Sequence, residues 1–158
     1  MTPAITAAKK AQIAFTVHEY DHDPAHQSYG LEAAEKLGIA SERIFKTLVA
    51  QLESSELVVA IVPVSAALDL KQLAKAVGAK KARMANPQVV ERTTGYVLGG
   101  VSPLGQRKAL KTVIDHSATQ HQTIYVSAGR RGLEIELAVA DLHVLTAGRL
   151  AAIAKAKN

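Results

Sequence analysis

Two apolar, β-branched runs, "RIFKTLVAQL" (residues 43–52) and "ELVVAIVPV" (56–64), stand only three residues apart. A parallel crossover needs a dozen residues or more, so the intervening "ESS" can only reverse the chain. The pair is therefore predicted to form an antiparallel hairpin. A chain with such a hairpin must build a sheet, extend it and cover it.

The flanking segments supply both. Thr2 followed by Pro3 reads as a cap and first turn, predicting a short helix to about Ala14. "FTVHEY" alternates as a strand, with Thr16, His18 and Tyr20 on one face and Phe15, Val17 and Glu19 on the other; "DHDPAH" ends it. Tyr29 to Leu37 reads as a helix stopped by Gly38. "LDLKQLAKAVGA" sets Leu70, Leu73, Ala74 and Val77 along one helical face. In "NPQVVERTTG", Asn86 caps, Pro87 opens and Gly95 ends another helix. "KTVIDHS", "TIYVSAG" and "GLEIEL" read as strands, and the remainder, "AVADLHVLTAGRLAAIAKAKN", as helix with a frayed basic end. Strands outnumber helices, and the helices interrupt them irregularly. The expected class is mixed α/β: a mixed sheet or partly closed barrel with helices outside, not a doubly wound sheet. No repeat, low-complexity tract or linker divides residues 1–158, which are expected to form one domain.

Charge is distributed unevenly. Residues 1–56 carry five Lys/Arg and eight Asp/Glu, whereas residues 57–158 carry fourteen and six. The basic part suits an anionic partner, nucleic acid first, although solvated lysines explain it too. The absence of cysteine removes disulfides, a protein thiolate nucleophile and sulfur-ligated zinc. The start lacks the order of a signal peptide, and the apolar runs fall short of the roughly 20 residues needed to cross a bilayer, so a cytoplasmic, non-membrane protein is expected.

The stretch "TTGYVLGGVSPLG" comes close to two nucleotide or nucleophile motifs and fits neither. Gly95, Gly100 and Ser102 have P-loop spacing, but Val101 replaces the lysine and the loop follows a helix rather than a strand. Pro103 directly follows Ser102, and a proline cannot supply the N–H that an oxyanion hole takes from that position. What remains is main chain. Gly95, Gly99, Gly100 and Gly105 fall in a segment without a charged side chain from Thr93 to Gln106. A ligand there would meet N–H and C=O groups; a structural turn is the alternative.

Other polar residues carry similarly divided readings. His18, His22 and His26 have helical spacing for a metal, but Pro24 and the strand pattern remove the helix, so no metal is expected. Lys46 shares a strand face with Ile44 and Leu48, where an ammonium needs an anionic partner or ligand unless it reaches water from an edge. Lys80, Lys81, Arg130 and Arg131, with the cations of "GQRKALK", lie beside glycines and suit contacts to a phosphate backbone or to water.

Taken together, "HEYDHDP", "FKTLV", "LDLKQLAKAVGAKKARMANP", "TTGYVLGGVSPLG" and "YVSAGRRGLEIEL" resemble the YbaK family of aminoacyl-tRNA deacylases. These are free-standing relatives of the editing domain of bacterial prolyl-tRNA synthetases. The resemblance runs from Met1 to about Asp141, and looks most like the branch that removes cysteine wrongly attached to proline tRNA. It implies a barrel-like mixed sheet with flanking helices and a pocket for the aminoacylated 3′ end of tRNA, without a cofactor. Lys46 matches the family's essential lysine. Tyr20, Tyr29, Thr47, Gly99, Gly100 and Ser127 match pocket positions, with Tyr20 placed beside Lys46 in the catalytic set. Glu134 stands where the family often has the shorter aspartate. The resemblance implies that the substrate's own thiol attacks its carbonyl, with Lys46 acting electrostatically. It also implies a ternary complex with prolyl-tRNA synthetase as a partner arrangement. A non-catalytic module for tRNA ends or for a synthetase, and a deacylase for another small amino acid, remain open alternatives.

Overall fold

A computed structural model describes residues 1–26 and 28–157, the side chain of Tyr29 lying outside the described set. The predicted hairpin is present. Strands β2 (Phe45–Leu52) and β3 (Leu57–Pro63) of the observed set pair antiparallel from Phe45 opposite Pro63 to Gln51 opposite Leu57. All but the first residue of β3 are buried, which accounts for the unbroken apolar run: both faces are covered, so alternation is not needed.

The other elements assemble around this hairpin. In chain order they are α1 (Pro3–Lys10), β1 (Phe15–Glu19), α2 (Tyr29–Leu37), then β2 and β3, followed by β4 (Ala66–Leu68) and α3 (Leu70–Ala76). Next come β5 (Ala82–Met84), α4 (Pro87–Thr94), β6 (Lys111–Asp115), β7 (Thr123–Arg130), β8 (Leu133–Ala138) and α5 (Val139–Thr146). Two short strands, β9 (Arg149–Ala151) and β10 (Ala154–Ala156), close the series. The hydrogen-bonded order of the largest sheet is β5-β2-β3-β6-β9, with β6 and β9 added in parallel. A second sheet, β1-β8-β7, is antiparallel, and β10 pairs with β4. The mixed α/β class stands. The two larger sheets meet at a parallel bridge between Ile44 and Tyr125.

Alternate residues of β3 serve two cores. Val59 and Ile61 face the second sheet, packing in one cluster with Ile124, Val126 and Ile135. Val58, Ala60 and Val62 face the other way and join Leu73 of α3 and Ile153.

The ends depart from the sequence reading. Helix α1 stops at Lys10, short of Ala14, because the chain turns through Gln12 in a left-handed conformation (φ 59°). The segment after α5 is not helical. Ala147 takes a left-handed conformation (φ 49°), and the chain then finds tertiary partners. β9 pairs with β6, the Asp115 carboxylate accepts the N–H groups of Ile153 (2.9 Å) and Ala154 (3.0 Å), and β10 pairs with β4. An alanine-rich stretch has high helix propensity, but a buried carboxylate and two available strand edges outweigh it.

Candidate active site

A cleft of about 390 Å³ opens between the two larger sheets. This size lies within the range of small-ligand sites. β2 contributes Lys46 and Thr47, and β7 and β8 contribute Ser127 and Glu134, which are directly opposite each other in register. Tyr20, just past β1, Gly99 and Arg131 also line it from the sequence-derived set. Phe45, Val49, Val64, Val90 and Val101 make much of the remaining wall apolar, and Met84 and Leu98 stand half-exposed on the lining. Among the described residues, no histidine lines the cavity.

Burial sets the protonation of this cavity. Glu134 is 8% exposed, and desolvation pushes its carboxyl up to about 8. Burial first, and then the Glu134 charge, pushes the Tyr20 phenol up to about 12. Lys46 is lowered by burial and next by the Lys157 ammonium. It forms no ion pair with a carboxylate among the described residues. The Thr47 hydroxyl is enclosed yet has no hydrogen-bond partner among the described residues. An enclosed polar atom of this kind fits a ligand that completes its bonding.

The glycine segment divides its work between two sides. Gly99 takes φ +89°, a conformation open chiefly to glycine, and lines the cavity. Gly100 does not line it. Its N–H donates to the Val97 carbonyl (2.8 Å), and a Cβ there would lie 2.8 Å from Arg130 Cα. Gly100 therefore lets the segment lie against the β7–β8 turn. From that turn the Arg131 guanidinium lines the cavity and donates to the Leu98 carbonyl (2.9 Å), tying the glycine segment to the hairpin that carries Ser127 and Glu134. Ser102 is fully buried, and its Oγ accepts the Leu104 N–H (3.2 Å), which removes it as a nucleophile.

The remaining sequence-derived residues disperse. Tyr29 begins α2, and its side chain lies outside the described residues. Lys80 and Lys81 are exposed beside the β2–β3 turn, their N–H groups donating to Glu53 (2.8 and 3.0 Å). Arg130 pairs with Glu19 at 2.7 Å on the surface. Arg107, Lys108 and Lys111 line a second cleft with Arg92, at the end of β3 opposite Lys46. His18, His22 and His26 contact three different carboxylates, Glu136, Glu32 and Glu35.

Glu32 and Gly30 were not legible as site supports. Glu32 is fully buried. Burial alone would raise its carboxyl, but hydrogen bonds from His22 (2.6 Å), the Asp23 N–H (2.7 Å) and Lys36 hold it down at about 2. This fixes the segment after Tyr20 onto α2. Gly30 lies on the cavity wall, where a Cβ would meet Val64 Cγ1 at 2.3 Å. A glycine in the first turn of a helix was the available signal, since it lowers helix propensity there.

The profile of the family described as "Aminoacyl-tRNA editing domain" matches residues 23–145. The chain belongs to this editing family. The resemblance read from its motifs therefore holds. An Enterococcus faecalis protein named "Putative Cys-tRNA(Pro)/Cys-tRNA(Cys) deacylase EbsC" is 41% identical over 152 residues, covering 96% of this chain and 92% of that protein. The Bacillus subtilis protein YwhH, described as uncharacterized, is 32% identical over 111 residues, 70% of each chain. A crystal structure described as a "putative trans-editing enzyme for prolyl tRNA synthetase" superposes with a TM-score of 0.82 at 23% identity, covering 97% of this chain and 95% of that chain. The last comparison speaks to the fold. The family match stops at Thr146's neighbour, residue 145, so β9 and β10 lie beyond it.

Proposed function

We propose that this editing domain is a deacylase that cleaves the ester of mischarged Cys-tRNA(Pro) in trans, with Cys-tRNA(Cys) as a second substrate. The observation that carries the reading is the cavity itself. A cation without a carboxylate partner among the described residues stands on one sheet, a buried carboxyl stands on the facing sheet, and apolar walls lie between. An aminoacyl ester has the complementary parts: a phosphate and carbonyl oxygen, an α-ammonium, and a small side chain.

In this reading Lys46 holds the carbonyl oxygen or the terminal phosphate, and the Gly99 N–H faces the developing oxyanion. Glu134 and Ser127 position the α-amino group, while Tyr20 and Thr47 shape the acyl pocket. Gly100 supports Gly99 from behind. The protein supplies no nucleophile. The substrate thiol attacks its own carbonyl carbon, a C–S bond forms, the C–O bond to ribose breaks, and the thiol proton passes to the ribose oxygen. Positioning and charge are sufficient for such an intramolecular step.

The same reading takes residues 1–158 as one editing domain, with the sheets partly closed around the pocket through the Ile44–Tyr125 bridge. No described helix is long and apolar enough to cross a membrane. We place the protein in the cytoplasm with translation, where prolyl-tRNA synthetase would supply tRNA identity in a ternary complex. Arg130, Lys80 and Lys81 remain available to the tRNA backbone beyond the cavity.

The test is deacylation of Cys-tRNA(Pro) by wild type and Lys46→Ala, with Ser-tRNA as control, with and without the synthetase. Wild-type cleavage well above buffer, lost in Lys46→Ala, is expected. Tight, salt-sensitive tRNA binding without turnover would replace the enzyme by a binding module. Rapid cleavage of the serine ester would remove the thiol-assisted step alone.

A further inference from the structure

The second cleft, of about 530 Å³, gathers four cations from two stretches of the chain. Arg92 stands near the end of α4, and Arg107, Lys108 and Lys111 lie on the segment entering β6. Among the described residues, Glu56 of the β2–β3 turn is the one carboxylate lining it, and it pairs with Lys111 at 3.4 Å. Arg92, Arg107 and Lys108 have no carboxylate partner among the described residues. Arg107 is held instead by the carbonyl end of α4. Its guanidinium donates to the Arg92 carbonyl (3.3 Å), its N–H donates to the Thr94 carbonyl (2.9 Å), and its side chain lies against Gly95. All four cations are exposed. Four positive charges gathered against one negative repel one another, and a partner carrying several negative charges relieves that repulsion.

This cleft adjoins the cavity. Val90 lines the cavity, whereas Arg92 and Thr93, two and three residues further on, line the cleft. At about 3.6 residues per turn they lie on different sides of α4, so a single helix, about 10–12 Å across, separates the two spaces. Leu57 of the cleft packs in the same core cluster as Phe45 and Val49 of the cavity wall, which puts both spaces on one face of the largest sheet. Along β3, five residues separate Leu57 from Val62, the residue opposite Lys46, a span of about 17 Å. Backbone phosphates follow one another every few ångströms, so an RNA with its 3′ end in the cavity reaches the cleft within a few nucleotides.

We infer that this cleft receives the phosphate backbone of an RNA whose 3′ end occupies the cavity. This rests on the reading of the substrate as a charged tRNA. Exposed cations spread along a cleft suit a chain of phosphates met in turn better than one compact anion. Arg92 and Lys108, free of carboxylates, supply affinity at a distance from the ester, and Glu56 opposes it.

The probe is an unacylated RNA hairpin ending in CCA, labelled in its loop and titrated against the full chain at several salt concentrations. The double variant Arg92→Ala, Lys108→Ala is expected to bind about tenfold more weakly, with a salt slope lower by about two, one for each lost phosphate contact. Arg92→Lys with Lys108→Arg should bind as wild type does. Glu56→Gln should bind about two- to threefold more tightly, a gain that misfolding cannot produce. Equal binding by wild type and the double variant, or no gain in Glu56→Gln, would overturn the site. Inorganic phosphate that binds wild type but not the double variant, while both hold the hairpin alike, would give the cleft to a free anion and overturn the RNA assignment. So would polyglutamate that binds wild type more tightly than the hairpin does and is lost in the double variant, which would give the cleft to an acidic protein. If the hairpin results hold but Cys-tRNA(Pro) is not cleaved, the proposed reaction fails and the RNA cleft stands. If Cys-tRNA(Pro) is cleaved and the double variant binds the hairpin as wild type does, the cleft alone fails.

Discussion

Replacing Glu134 by glutamine should stabilise the protein, and by an amount that grows with pH. The carboxyl has a folded-state value of about 8 against an ordinary 4.5, caused by burial. An acid whose value is raised on folding binds protons more tightly in the native state, so native stability falls as pH rises between the two values. Each unit is worth about 1.4 kcal/mol. The penalty is near zero at pH 4, about 2 kcal/mol at pH 6 and about 3 kcal/mol at pH 7, levelling off above pH 8. Glutamine has no such penalty. Urea unfolding of wild type and Glu134→Gln, each at pH 4, 6, 7 and 8, isolates this group because other titrations cancel in the difference. A difference that does not change between pH 4 and 8 would refute the argument that Glu134 is a desolvated carboxyl. The gain in stability should accompany a loss of deacylation, since a bound α-ammonium favours ionisation of the carboxyl and can then pair with it, whereas an amide never ionises.

Asp115→Ala strands the N–H groups of Ser117, Ile153 and Ala154, and should destabilise the protein by about 2–4 kcal/mol. Urea unfolding measures this, and limited proteolysis should cut faster after Gly148; a cost below about 1 kcal/mol would show that the tail is not held by this carboxylate. Gly30→Ala drives a methyl group against Val64 Cγ1, 2.3 Å from the ideal Cβ position, and should cost about 1–3 kcal/mol. Combining it with Val64→Ala should cost less than the sum of the separate changes, as measured by urea midpoints.

The sequence was most legible where local chemistry decides structure. Gly38 and Gly95 adopt the left-handed conformations expected at helix ends, and the Asn86 side chain accepts the Gln88 N–H (2.8 Å) as a cap should. The hairpin followed from two apolar runs and a three-residue link. The tail was misread because alanine propensity is local, whereas the partners of β9 and β10 come from Asp115 and β4, far away in sequence. Site residues posed the same difficulty. Lys46, Gly99, Ser127 and Glu134 belong to three separate regions, and only the family resemblance brought them together before the fold did. Spacing by itself left Lys46 as an edge lysine. Glu32 and Lys36, four apart on a helix, would pass for an exposed surface pair, yet the Glu32 carboxylate is fully enclosed.

Arg131 on the Leu98 carbonyl and Gly30 against Val64 brace the cavity from both sides. On the proposed reading, walls tied in this way exclude amino acids that are too bulky through steric cost. They have no comparable means of refusing those that are too small. On that reading, selection against a lesser guest comes from reactivity, which attack by a substrate sulfur would provide.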